Sequence, residues 1–598
     1  MKLKHILFAA SGVAALMTGT SCSDSYLDEE MYSQYGTDVT NVNSKVLGLH
    51  YKYAQMWGWS DQQGYVGCWQ DGTDVGAPGD VQGVETPFYK YAQLTSQNGG
   101  VSHTWGSLYG IISAANNIVN DANATAAEKA EAEFFRAYAY NMLVTLWGDV
   151  PIITELITTV RTDFTRQPVV DIDKVIEADI TDAIANLPEV GKTKTESRIN
   201  KDCARMLAAE IFLRIGMRDN SYFKKAEDVI TPTIEGGNYK LISERYGKFT
   251  GEAGDYYADM FRWGNQRRSQ GNTEGIWIFQ MEYNNTVTGG TINAPQQRRN
   301  WVAAFHKIEG MVNADSLGGR GNGRLRLSNY VKHVAFNQNG IEKYDVRNSN
   351  YNIRRQLWYN KATMEITVKE NGEDVKKTIP WRDSVWVRPN DPYRYDAKGA
   401  NLSKETLAAL EEGGYEMKIL YTGDAAVWRA SDTLNVMYPH TTKWGAYDPT
   451  DDFGWSMVKD WPLMRLGEAY LLRAEARFRQ NNLSGAADDI NVLRDRAFKT
   501  AREEQGDATL GAVSSSDITL DFILDERIRE LVGEENRRMT LVRTGTLGER
   551  IKKAQAIETA PAEKTIEGYQ DFNALLPIPL TEIQLNKDAV IEQNPGYN

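Results

Sequence analysis

Residues Trp461 to Ala497 read WPLMRLGEAYLLRAEARFRQNNLSGAADDINVLRDRA. Leu463, Leu466, Tyr470, Ala474 and Phe478 recur at the 3.6-residue period and share one helical face. Met464, Leu471 and Leu472 lie off that face and are also apolar, so the spacing predicts a helix covered on more than one side. Gln480 to Ser484 is polar and reads as a short turn. A second helix then carries Ala486, Ile490, Leu493 and Ala497 on one stripe. Two antiparallel helices with a seam of small residues form one unit of a repeat array close to the tetratricopeptide pattern. One unit cannot bury its own apolar face, so similar pairs are expected elsewhere.

Such pairs precede it in the chain. A helix is expected from about Val42 to Trp57. From His103, the residues Leu108, Ile111, Ile112, Ala115 and Val119 make one stripe. Phe135, Tyr138, Ala139, Met142 and Leu146 make its partner, stopped at Gly148-Asp149-Val150-Pro151. Ile172, Val175, Ile176, Ala183 and Leu187 form the next face, between Asp171 and Pro188. Ala204, Leu207, Ala208, Ile211 and Ile215 follow and close at Gly216, with a shorter helix over roughly Tyr222 to Ile234. A last one spans Asp517 to Val532. The expected fold is therefore mainly all-α, with tetratricopeptide-like helical repeats at about 103–235 and 461–545.

Between about 236 and 460 the helical signal fades. Ile276 to Met281 and Glu365 to Val368 look like short strands, and Gly318 to Gly323 is a turn-rich loop. This stretch reads as a loop-rich insertion between repeats. Gly58 to Gly100, dense in Gly, Asp and aromatic residues, breaks periodicity in the same way, and long loops inside compact domains are often functional.

Residues 1–21 carry Lys2 and Lys4, then an apolar run from Ile6 to Met17, then small residues. That is a secretory signal, too short to span a bilayer. Gly19-Thr20-Ser21 ahead of Cys22 suggests cleavage before Cys22 and lipidation of it; Gly19 stands where such sites commonly have Leu. Residues 22–40 then form an acidic tether, and 41–598 one domain. Cys68 and Cys203 are left either as a disulfide or as two buried thiols.

The formal charge of −13 disfavours a nucleic-acid partner, which would want a basic patch. Fifteen Trp and thirty Tyr exceed the needs of a core, and surplus aromatics mark binding surfaces. The six His are scattered, without HExxH or a close pair, so no metal and no cofactor is expected. Asp71, Asp74 and Asp80 lack the EF-hand order and read as solvated loop carboxylates. There is no GxSxG elbow, and no carboxylate pair stands in an apolar setting that would fit a glycosidase.

Five segments in order resemble the SusD/RagB family of surface nutrient-binding lipoproteins: EAEFFRAYAYNMLVTLWGDVPII (131–153), RLGEAYLLRAEARF (465–478), AADDINVLRDRA (486–497), ILDERIRELVGEENRRMTLVRTG (523–545) and LLPIPLTEIQLNKDAVIEQNPGY (575–597). The resemblance implies four tetratricopeptide-like helix pairs plus an insertion. It also implies a lipid-anchored seat on the outer face of the outer membrane, against a SusC-like TonB-dependent transporter. The implied activity is glycan binding without catalysis; a peptide cargo is the alternative, and a glycoside hydrolase or a pure protein-docking scaffold are further ones. Within the matching motifs, Arg465, Glu468, Glu475, Arg494, Arg496, Glu526, Arg527, Glu530 and Arg537 read as inter-helix ion pairs.

A sugar presents flat apolar faces and a rim of hydroxyls, so it needs open rings and polar side chains beside them. The loops supply these. The candidates are Trp69, Asp71, Asp74 and Tyr89 in the first loop region, and Tyr283, Asn284, Trp301, Arg320 and Asn322 in the insertion. Trp57, Trp263, Trp444 and Trp461 are set aside because each borders scaffold.

Overall fold

The computed structural model describes residues 41–57, 69–79, 83–281, 300–304, 321–358, 363–380, 384–387, 394–398, 426–427, 439–445, 459–558 and 565–597. Helices dominate: α1 (Val42–Trp57), α2 (Gly99–Val119), α3 (Ala126–Trp147), α4 (Val169–Asn186), α5 (Lys201–Gly216), α6 (Ser221–Glu235), α7 (Leu466–Arg479), α8 (Leu483–Ala497), α9 (Leu520–Leu531), α10 (Arg537–Arg543) and α11 (Leu547–Ala556). From α1 to α8 each helix packs on the next, and α9 packs on α7. This is the stacked, nearest-neighbour arrangement of a helical-repeat array.

Local chemistry sets the helix ends. Thr125 and Glu128 form a reciprocal capping box at the start of α3, and Gly148 closes it at φ 76°. Asn200 accepts from the amides of Asp202 and Cys203 at the start of α5. Thr519 caps α9 by accepting from Phe522, so that helix begins at Leu520, while the expected start at Asp517 belongs to a separate 3-10 turn.

The chain leaves the array after α6 and re-enters it at α7, yet these two helices are neighbours. Arg473 reaches Glu235 at 2.7 Å, and Arg477 reaches Glu227 at 2.9 Å. The intervening stretch is loop-rich, with short strands and the hairpin Thr363–Glu370/Glu373–Pro380. Strand β1 (Gly76–Pro78) pairs antiparallel with β3 (Leu325–Leu327), tying the early loop to the insertion. Strand β2 (Gly275–Phe279) pairs with β4 (Trp461–Arg465).

That last pairing corrects one expectation. Leu463 to Arg465 is strand, and the helix starts only at Leu466, whose amide donates to Glu274 at 3.0 Å. Pro462 biases Trp461 toward extended backbone, and β2 offers the free edge. The apolar stripe of α7 therefore runs from Leu466 onward.

The nine charged residues of the family motifs are ion-paired, eight of them with side chains almost wholly shielded. Arg465 contacts Glu274 at 2.5 Å, Glu534 at 2.7 Å and Glu530 at 3.0 Å. Glu526 takes Arg347 at 2.7 Å and Arg494 at 3.0 Å, and Arg496 meets Glu530 at 2.6 Å. Arg543 clamps Glu475, Arg527 joins Glu468 to Glu535, and Arg537 holds Asp74. Buried charges require partners of this kind, because an unpaired one would forfeit its hydration with no return. Cys203 is a buried free thiol; Cys68 and Cys22 lie outside the described residues.

Candidate functional site

The early loop is held from beneath by the C-terminal helices. Both oxygens of Asp74 accept from Arg537, at 2.8 and 2.7 Å, and Arg550 donates to one of them at 2.6 Å. Burial alone would raise this carboxyl, but the two guanidiniums outweigh it and hold Asp74 down at about 2. Arg550 continues to Asp525 at 2.5 Å. Arg538 donates to the carbonyl of Asp71 at 2.9 Å, and the Tyr91 hydroxyl donates to the carbonyl of Gly72 at 2.8 Å. Gly72 sits at φ +64°, where a Cβ would fall 1.9 Å from the carbonyl oxygen of Phe88, so only glycine lets these two turns touch.

Above this lies a cluster of tryptophans. The rings of Trp57 and Trp69 meet edge to face; Trp57 and Trp461 do the same at 4.1 Å between centroids, as do Trp444 and Trp461 at 5.0 Å. The Trp301 indole donates to Gln70 at 2.9 Å, and the Gln70 amide donates to the carbonyl of Glu535 at 2.9 Å. The Gly323 amide donates to the carbonyl of Val302 at 2.9 Å. Lys459 donates to the carbonyls of Gly445 and Phe261, each at 2.7 Å.

These contacts have a common consequence. They join distant parts of the chain in one aromatic platform: Trp57 to Trp69, Gln70 to Trp301, Val302 to Gly323, and Trp461 to Trp57, Trp444 and its strand partner Phe279.

Of the sequence candidates, Trp69, Asp71, Asp74, Tyr89 and Trp301 are all buried, at 2 % exposure or less. The expectation of open rings and solvated carboxylates at these five positions is corrected accordingly. A ring that stacks on a sugar must offer a free face, and these are packed into the platform or its support. Asp74 is committed to two arginines, and Tyr89 is pinned by the amide of Glu567, which donates to its carbonyl at 2.8 Å. Asn322 is half-buried. Tyr283, Asn284 and Arg320 lie outside the described residues. Sequence reasoning set Trp57, Trp444 and Trp461 aside as scaffold, and the structure makes them the platform itself.

Beneath the platform is a crevice of about 90 Å³, lined by Tyr53, Trp277, Glu210, Glu468 and Asn536 among others. Glu210 accepts from Asn141 at 3.2 Å, and burial raises its carboxyl above the ordinary range. Burial likewise pushes Glu468 up to about 7, against the pull of Arg527.

Fold and platform together define a tetratricopeptide-like helical-repeat scaffold with a packed tryptophan cluster. The profile described as SusD family matches residues 258–597, and one described as "Starch-binding associating with outer membrane" matches residues 25–213. The chain belongs to the SusD family. It is 24% identical over 628 aligned positions, 100% of both chains, to SusD-like protein P25 of Formosa agariphila. Among solved structures it resembles surface glycan-binding protein A of Bacteroides fluxus, with a TM-score of 0.60 at 17% identity over 93% of this chain and 99% of the other. It also resembles surface glycan-binding protein A of Bacteroides thetaiotaomicron in complex with laminarihexaose, with a TM-score of 0.59 at 16% identity over 92% and 98% of the two chains.

Proposed function

We propose that this protein is a cell-surface lipoprotein of the outer membrane, anchored through Cys22. It binds glycan without altering it and delivers it to a SusC-like TonB-dependent transporter. Family membership across the C-terminal half carries the reading, and the names of the similar solved proteins agree with it. The signal and Cys22 in the sequence support the anchor. In this reading residues 22–40 are the tether and 41–598 form one domain.

Glycan contact is assigned to the loop region before the first helix pair and to the insertion, whose sequences adjoin the tryptophan platform. Tyr283, Asn284 and Arg320 are kept as contact residues, with Asn322 at the margin. Trp69, Asp71, Asp74, Tyr89 and Trp301 act from within, holding the platform and its support in place. Rigid support of this kind lowers the ordering cost of binding.

The test is native affinity electrophoresis of the mature, unlipidated chain through gels containing laminarin, starch, pectin or xylan, with chromatography of the recovered polysaccharide. The expected result is retardation in at least one gel, unaffected by a chelator, with the polysaccharide unshortened. Retardation by none of them, or shortened chains, overturns the proposal.

A further inference from the structure

A second surface feature opens beside the first turn of α7. At the seam where the insertion joins the helices, a groove of about 400 Å³ opens between the 239–243 segment, the start of α7 and the end of α8. Leu241, Leu466 and Val492 line it with apolar surface, and Tyr239 and Tyr470 contribute aromatic surface. Tyr239 is buried, whereas Tyr470 is half-buried.

The polar groups of this groove are donors in excess. Arg496 is 4 % exposed; its two terminal nitrogens serve Glu274 at 3.2 Å and Glu530 at 2.6 Å, while its Nε has no acceptor among the described residues. A buried guanidinium N–H without a partner is costly, and here it belongs to a residue that lines an open groove. Lys240 is exposed and its ammonium has no carboxylate partner among the described residues. Asp495, the acidic group in the lining, is engaged by Arg502 at 2.6 Å. Lys499 already donates to the carbonyl of Ser243 at 3.1 Å.

We propose that this groove is a second glycan site: it takes a short oligosaccharide segment, with one sugar face on Tyr470 and acceptor oxygens toward Lys240 and Arg496. The inference rests on the glycan-binding reading above. A half-buried aromatic side chain beside an exposed ammonium and a guanidinium N–H without an acceptor suits a ligand that is apolar on its faces and rich in acceptor oxygens at its rim. Hydroxyl and ring oxygens of a neutral sugar, or carboxylate oxygens of a uronic acid, supply the same acceptor chemistry. A site here would hold a long polysaccharide at two points, raising its effective concentration at the platform.

The test follows the acetylation rate of Lys240 by mass spectrometry in the mature chain, with Lys174, whose side chain is 77% exposed, as internal control. Laminarihexaose and hexagalacturonate are the neutral and acidic probes, each titrated to about 10 mM to cover weak affinities. At least one probe, at ten times its Kd, should slow Lys240 about tenfold by simple occupancy and leave Lys174 unchanged. Protection by one probe alone identifies which acceptor the groove takes. Tyr470→Ala should abolish the protection and Tyr470→Phe should keep most of it, with melting curves confirming that both fold. Unchanged acetylation with both probes, or protection that survives Tyr470→Ala, overturns the inference. If polysaccharide still retards the chain in gels, the groove alone is refuted; if nothing retards it, the parent reading falls too.

Discussion

Replacing Asp74 with Asn removes a charge from a place that water does not reach. The carboxylate is fully buried between Arg537 and Arg550, and Asn would turn an amide N–H toward one guanidinium. The two arginines hold the Asp74 carboxyl near 2, against an ordinary 3.8, which by linkage is worth about 2 kcal/mol at neutral pH. Breaking a buried pair also strands the partners and typically costs about 3–5 kcal/mol. Arg550 keeps Asp525, and Arg537 keeps Glu535 at 3.3 Å, so the low end applies, about 3 kcal/mol. For 598 residues the unfolding entropy is about 1.3 kcal/mol/K, which converts that loss to a fall of roughly 2–3 °C in Tm. The assay is scanning calorimetry of both proteins across pH. Because the folded pKa is depressed, the carboxylate's contribution is complete above the unfolded value and is lost only as pH falls through about 2. The difference between the two proteins should therefore be flat from about pH 5 to 8. Equal melting temperatures, or a gap that changes across that window, would refute the reasoning. Asp74→Asn combined with Arg537→Met should recover part of the loss, because one stranded charge goes with it.

Trp301→Ala should cost about 3–5 kcal/mol by denaturant melts, because it empties a buried site and orphans Gln70; a loss of glycan affinity without any loss of stability would mean that the ring faces the ligand after all. Glu468 has a folded pKa raised by burial to about 7, so its contribution to stability falls as pH rises from about 4.5 through 7; Glu468→Gln should remove that slope, and an unchanged pH profile would contradict it. His103 works in the opposite direction: burial depresses it to about 4, so stability is lost as pH falls below the ordinary 6.5, and His103→Gln should flatten the acid limb of the melting curve. Cys203 is buried with its thiol pushed far up by desolvation, so in a Cys22→Ser/Cys68→Ser background it should resist a thiol reagent until denaturant is added; rapid labelling of the native chain would place it elsewhere.

The helices were legible because their signals are local. Val42 to Trp57 was readable from spacing and is a helix over those residues, and the stripes ending at Trp147, Asn186 and Gly216 are set by caps and stops written beside them. Trp461 to Arg465 was misread because a strand needs a partner, and β2 lies more than 180 positions earlier. The burial of five site candidates is hidden for the same reason on a larger scale. Asp74 looks like a loop carboxylate until Arg537 and Arg550 arrive from the other end of the chain. Trp69 and Trp301 look like spare rings until Trp57 and Gln70 close over them. A count of aromatics can locate a ring-rich region, but which rings stay open is decided by contacts between distant segments. Tyr470 shows the converse: it belongs to a helical stripe, yet it is only half-buried and lines a groove.

The claim on which the rest depends is capture of polysaccharide with no reaction. Calorimetric titration of the mature chain with whichever polysaccharide retards it in gels, followed by chromatography of that same sample after long incubation, tests it directly. The account predicts saturable heat and an unchanged chain-length distribution. Shortened chains, or no heat with any polysaccharide, would contradict it.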